Sequence, residues 1–148
     1  MRRNNLLFFL SILILFFVVK ELIAGEYIGR LSLNPYDRES IFNPYGMGSP
    51  YSSSSLFNPY GKYGSPYSPY SWRNPYATNP PKLYDDSGRY RGKLTINPYD
   101  YESIFNPYGR YGSPFSQESI NNPYGAGSPY RFDSPFNPWG RGWKIIGQ

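Results

Sequence analysis

Hydrophobic positions along this chain follow two unrelated patterns. Leu6 to Val19 is an apolar block of 14 residues interrupted only by Ser11, with Arg2 and Arg3 before it and Lys20 and Glu21 after it. Beyond Gly25 the apolar residues become isolated, and neither a helical nor an alternating period persists. Proline recurs so often that helices are excluded from most of this part and strands are confined to a few residues. One stretch escapes. Lys82 to Asn97 contains no proline, and the turn signal Asp85-Asp86-Ser87-Gly88 separates Leu83-Tyr84 from the run Arg89 to Ile96. That pattern predicts a β-hairpin near 82–96. Glu26 to Leu33 matches the second arm and is expected to add a strand, as is Trp143 to Ile146. Ser52 to Ser55 and Thr78 to Pro81 read as flexible joints. The expected fold class is a mostly irregular, turn-rich chain of low regularity with a few short β-strands, behind an N-terminal signal helix.

The order of basic residues, apolar block and small residues (Ala24 and Gly25) is that of a secretory signal peptide. Fourteen helical residues reach only about 21 Å, against a hydrocarbon core of about 30 Å. Residues 1–25 are therefore expected to direct export, with cleavage between about Ala24 and Tyr27. The remainder would then be secreted, periplasmic or at the cell surface. The alternative is an uncleaved membrane anchor formed by residues 6–19, the one route by which a membrane would be a partner. With no cysteine in the chain, lipid attachment through that residue and disulfides are both excluded.

Self-similarity organises the rest. Gly29 to Gly46 and Gly92 to Gly109 are identical at 14 of 18 positions. Within each copy a smaller motif recurs: Asn-Pro-Tyr begins at Asn34, Asn43, Asn58 and Asn74, then at Asn97, Asn106 and Asn122, with Asn-Pro-Trp at Asn137. The spacings are 9, 15 and 16 residues in the first copy and 9, 16 and 15 in the second. Ser-Pro-aromatic steps lie between them, and 14 of the 16 prolines have Asn or Ser before and a ring after. The tripeptide is a turn former, because proline fixes φ at the first corner and the preceding Asn or Ser accepts a hydrogen bond from the turn backbone. The expected organisation is a signal peptide at 1–25 and a first repeat unit at 26–77. A linker with the first part of the hairpin follows at 78–91, then a second unit with a C-terminal Trp segment at 92–148.

Composition sharpens the question of a core. From Glu26 onward, Leu, Ile, Val and Phe number 18 of 123 residues, about 15%, whereas Tyr, Phe and Trp number 26. Aliphatic content below about 20% is typical of chains that do not fold, so a core is expected to be built from rings. Net charge over these residues is +3, from 12 basic and 9 acidic side chains, too mild and scattered to specify an acidic partner.

The blocks NPYGRYGSPF, SINNPYGAGSPY and PKLYDDSGRYRGKL resemble a tandem repeat of small exported bacterial proteins of uncharacterised function. The resemblance implies export and a bacterial source. It carries no catalytic or binding residues over to this chain.

The chemistry available is narrow. Without histidine or cysteine the chain lacks the commonest general base, transition-metal ligands and thiol nucleophile. Asp85-Asp86 is the only adjacent carboxylate couple, and it falls at a turn where acidic residues serve local structure. No catalytic residue, metal site or cofactor is expected, and the chain is read as a non-enzyme. Arg89, Arg91 and Lys93 around Tyr90, and Arg141 and Lys144 beside Trp139 and Trp143, interleave basic and aromatic residues as single-strand binders do. On an exported chain that pattern reads as a solvated strand face, and no nucleic acid is expected. The remaining asset is the rings, with Tyr45, Tyr60, Tyr108, Tyr111, Tyr124, Trp139 and Trp143 as candidate contact residues. A structural or adhesive envelope protein that self-associates through them is the first reading. An aromatic-rich binding module for envelope polysaccharide or peptide is the second. Against both stands simple packing of the rings on one another.

Overall fold

The computed structural model describes residues 2–23 and 25–148. Helix α1 spans Arg2–Ile23, and the apolar residues Leu6 to Leu10 on it are exposed. No helix among the described residues is long and apolar enough to cross a membrane. Ala24, at the expected cleavage point, lies outside the described residues.

Four short strands follow: β1 Glu26–Leu31, β2 Lys82–Tyr84, β3 Tyr90–Lys93 and β4 Trp143–Gly147. They form one antiparallel sheet in the order β1-β4-β2-β3. The expectation of a mostly irregular, low-regularity chain is thereby overturned. Its error was to judge each strand alone. β4 is five residues long, yet it pairs with β1 on one side and with β2 on the other, placing Ile145 opposite both Gly29 and Leu83. Such long-range pairing leaves no local periodicity to read.

The sheet is built twice from the same parts. In each copy an outer strand (β1, or β3, which begins at the end of the 78–91 linker) is followed by an inner strand (β2, inside that linker, or β4). Each outer strand pairs with the inner strand of the other repeat. Equivalent contacts recur around it. Ser40 Oγ donates to Ser32 O and Ser103 Oγ donates to Thr95 O, both at 2.6 Å. The Leu33 amide donates to Pro135 O (2.9 Å) and the Ile96 amide to Trp72 O (3.0 Å). The two copies are therefore interlocked about one sheet. Gly29 and Gly92, at equivalent places in β1 and β3, have φ of 142° and 101°. A side chain is strained there, and a Cβ would press on the Glu39 or Glu102 carbonyl at 2.9 and 2.8 Å.

Between the strands the chain is regular in a way that strand and helix labels miss. Successive turns share corners every three residues. From Asn34 to Ala77 the amide of each corner residue donates to the carbonyl of the corner before it. The same ribbon runs from Asp100 to Gly140. One extra residue enters each ribbon, where Ser65 bonds to Gly61 and Ser113 to Gly109 across four residues. The corners are Asn, Asp, Ser or Gly with few exceptions, and the side-chain oxygens of the Asn, Asp and Ser corners accept the amide two residues on at most of these places. Asn106 Oδ1 takes the Tyr108 amide at 2.9 Å and Ser103 Oγ takes that of Phe105 at 3.0 Å. Asn does more than Ser. Its Nδ2 donates to the carbonyl six residues back, as in Asn106 to Asp100 O and Asn122 to Ser116 O, coiling the ribbon on itself. Ser52 to Ser55 is part of this ladder, with Ser55 buried, and is not a free joint.

The core also differs from expectation. Nine of its 13 buried hydrophobic residues are Leu or Ile, and only Tyr63, Tyr111 and Trp143 are rings. The scarce aliphatics are spent where they count. Ile41, Leu56, Ile104 and Ile120 each follow a fully buried Ser corner at 40, 55, 103 or 119, which turns that step of the ribbon inward. Composition counted these residues correctly but could not say that nine of the twelve Leu and Ile beyond Gly25 meet at one place.

Candidate functional site

Two surfaces emerge from this arrangement. The first is made of rings that follow a proline. Ten of them are 89–97% exposed, among them Tyr45, Tyr60, Tyr108, Phe115 and Tyr124. Trp139 is also exposed, whereas Tyr70 and Phe136 are partly covered. Their presentation follows from the turn: proline fixes the first corner, the Asn or Ser side chain caps the amide of the ring residue, and the ring is carried away from the ribbon. Glycine after the ring completes the step, since a Cβ at Gly125 would lie 2.6 Å from Gln117 O, the carbonyl of the preceding coil. Among the described residues, the close ring pairs include none of these exposed rings. Their faces are open to a partner.

Two of the seven candidate rings lie elsewhere. Tyr111 is 7% exposed and packs edge-on to Tyr90 at 5.4 Å, and burial pushes its phenol pKa up. Trp143 lies in β4 at the centre of the sheet under the Arg91 guanidinium, 5.5 Å from its ring centroid. The difference has a simple cause. Tyr111 and Trp143 do not follow a proline, so no turn carries them outward. Tyr63, in the equivalent Gly-x-Tyr-Gly step of the first copy, is buried too. Its single hydroxyl proton is shared between Glu26 Oε2 (2.7 Å) and Gln148 O (3.0 Å), and burial first, with the Glu26 bond second, raises its pKa. That rule was available in the sequence.

The charged candidates are consumed locally. Asp85 accepts hydrogen bonds from Ser87, the Arg89 amide and Arg91 Nε (3.0 Å). Burial opposes its charge, and these bonds outweigh burial and hold its carboxyl below the ordinary range. Asp86 pairs with Arg30 (2.9 Å) and Arg141 (3.4 Å), Lys93 with Asp100 (3.2 Å) and Glu102 (2.9 Å), and Arg89 with Glu118 (3.0 Å). Arg89, Arg91 and Lys93 of the hairpin thus face carboxylates of this same chain.

The second surface is concave. A cleft of ≈ 290 Å³ opens between the two ribbons. Its floor is the paired set Leu31 and Leu94, Ile41 and Ile104, Leu56 and Ile120, and Leu33, Phe42, Phe105 and Phe136 stand at its partly exposed rim. Phe42, Phe57, Trp72 and Phe105 run along it with successive ring centroids 6.4 Å apart, joining the two copies. Nothing in the sequence reading located it, because its walls come from six separate ribbon steps.

No known family model matches the chain, and no curated protein or solved structure is similar to it.

Proposed function

We infer that this is a non-catalytic, exported protein that acts at the cell envelope or outside it through many weak contacts of its outward rings. The observation that carries this reading is the set of ten rings, 89–97% exposed, on capped proline turns. Ring faces held in water contribute nothing to folding and stay available to a partner. Each ring is pre-organised, so little conformational freedom is lost on contact, and Tyr gives a large flat face with a polar edge. Export rests on the order of residues 1–25 and on the resemblance of the repeat blocks to exported bacterial proteins.

The sheet edges favour rings over backbone as the means of association. β1 is covered by its own ribbon, with the Arg30 amide donating to Glu39 O (2.7 Å) and the Ile41 amide to Arg30 O (2.9 Å). β3 is covered in the same way by Glu102 and Ile104. Strand addition to these edges is therefore blocked. Self-association is the first form of the proposal. Stacking on envelope polysaccharide or peptide is the second, favoured by the absence of pairing among the outward rings.

The test is the purified protein at rising concentration in sedimentation, and separately with isolated envelope fractions. Replacing Tyr45, Tyr60, Tyr108 and Tyr124 by Ala, one after another, should weaken association step by step, as expected when many weak contacts add. A monomer at all concentrations that binds no envelope fraction would overturn the proposal. Complete loss at a single ring would point to one specific site instead.

A further inference from the structure

The cleft between the ribbons supports an inference independent of the outward rings. Aligning the two copies sets Ser55-Leu56-Phe57-Asn58 against Ser119-Ile120-Asn121-Asn122. At this step the first copy places Phe57 against Phe42 and Trp72, while the second places Asn121 at the cleft wall. The related steps Ser40-Ile41-Phe42-Asn43 and Ser103-Ile104-Phe105-Asn106 also carry Phe at this place. Of the other Ser-x-x-Asn steps only Ser71-Trp72-Arg73-Asn74 departs from Phe at this place, and it supplies Trp72 one residue earlier, so the Asn121 step is the one that brings no ring.

The lining specifies what would replace it. No ionisable side chain contributes to the wall. Its polar hydrogens are already used: Trp72 Nε1 donates to Leu56 O (2.8 Å), and Asn121 Nδ2 to Ile104 O (3.1 Å) and Gly112 O (2.9 Å). A charged guest would lose its hydration without a partner in return. Size sets the other limit. An apolar cavity of about 150 Å³ holds benzene, and this cleft is ≈ 290 Å³.

We propose that the cleft is a binding site for one small, uncharged aromatic molecule of one or two fused rings, lodged beside Asn121 between Trp72, Phe105 and Phe136. Such a guest extends the row of rings beyond Phe105.

The probe is 2-naphthol, with 2-naphthalenesulfonate as the charged counterpart of the same ring system, each titrated into the purified protein by calorimetry. The expected result is saturable binding of one 2-naphthol per chain, with the sulfonate at least tenfold weaker. Asn121→Phe, which restores the missing ring, should reduce 2-naphthol affinity at least tenfold. Leu33→Trp at the partly exposed rim is a second obstruction that does not alter the cleft floor, and it should do the same. Phe115→Ala, on the outward surface, should leave binding unchanged. Absence of saturable binding, equal binding of the sulfonate, or wild-type affinity in either obstructed variant that keeps the native circular dichroism would overturn the proposal. So would dimerisation abolished by both obstructions, since the occupant would then be a second copy of the chain. Failure here leaves the outward-ring proposal intact, and failure of that proposal does not touch this one.

Discussion

Tyr108 and Tyr111 stand three residues apart in one stretch, Asn106-Pro107-Tyr108-Gly109-Arg110-Tyr111, and meet opposite fates. Tyr108 is 90% exposed, while Tyr111 is in the core. The step from one corner of the ribbon to the next decides which side a ring takes. Most proline-led steps carry the ring outward, Tyr70 and Phe136 being partly covered, and the Gly-led steps to Tyr63 and Tyr111 lay the ring against the sheet. The ribbon therefore has two chemically distinct faces made from the same residue type. One supplies stability, the other contact.

The largest effect should come from the inward face. Tyr111→Ala removes a buried ring and should cost about 3–5 kcal/mol of stability, read as a lower urea midpoint. A loss below about 1 kcal/mol would break the comparison. The ion pair beneath the hairpin belongs to the same face. Asp85→Asn leaves the buried Arg91 guanidinium uncompensated and should cost about 3 kcal/mol or more. Its pH dependence has a definite sign. Asp85 is held below its ordinary pKa in the folded protein. It therefore contributes stability above the unfolded value of about 3.9, and loses it as pH falls through the lower folded value. The wild-type urea midpoint should fall as pH drops below about 4, and Asp85→Asn should flatten that fall.

A smaller effect separates Asn corners from Ser corners. Asn106→Ser keeps an acceptor for the Tyr108 amide but removes the bond from Nδ2 to Asp100 O. A single neutral hydrogen bond corresponds to about 0.5–1.5 kcal/mol, measurable in the same titration. If Asn106→Ser matches wild type, the coiling of the ribbon does not depend on the amide. The smallest effect on stability belongs to the outward face. Tyr108→Ala should change the urea midpoint by no more than the equivalent of about 0.5 kcal/mol, while still weakening association. Large destabilisation by this change would show that the outward rings pack after all.

Much of this was legible locally. The three-residue step is present in the Asn-Pro-Tyr spacings, since 9 and 15 are multiples of three and 16 is one more. That extra residue sits between Gly61 and Ser65 in one copy and between Gly109 and Ser113 in the other, which is why the long spacing changes place. Turn chemistry at each Asn and Ser corner could be read from the residues themselves, because its partners lie within three residues. The burial of Ser40, Ser55, Ser103 and Ser119 was not legible, because Ser looks the same at an exposed corner and a buried one.

By itself, the sequence determined the turns and the duplication, because each depends on bonds and dihedrals among neighbours. The tertiary structure alone decided that β4 lies at the centre of the sheet. It alone interlocked the two copies, gathered the few Leu and Ile residues into one core, and opened a cleft beside Asn121. The physical reason is range. Those features arise when segments far apart in the chain exclude water together, and no local pattern records which distant residue completes the contact.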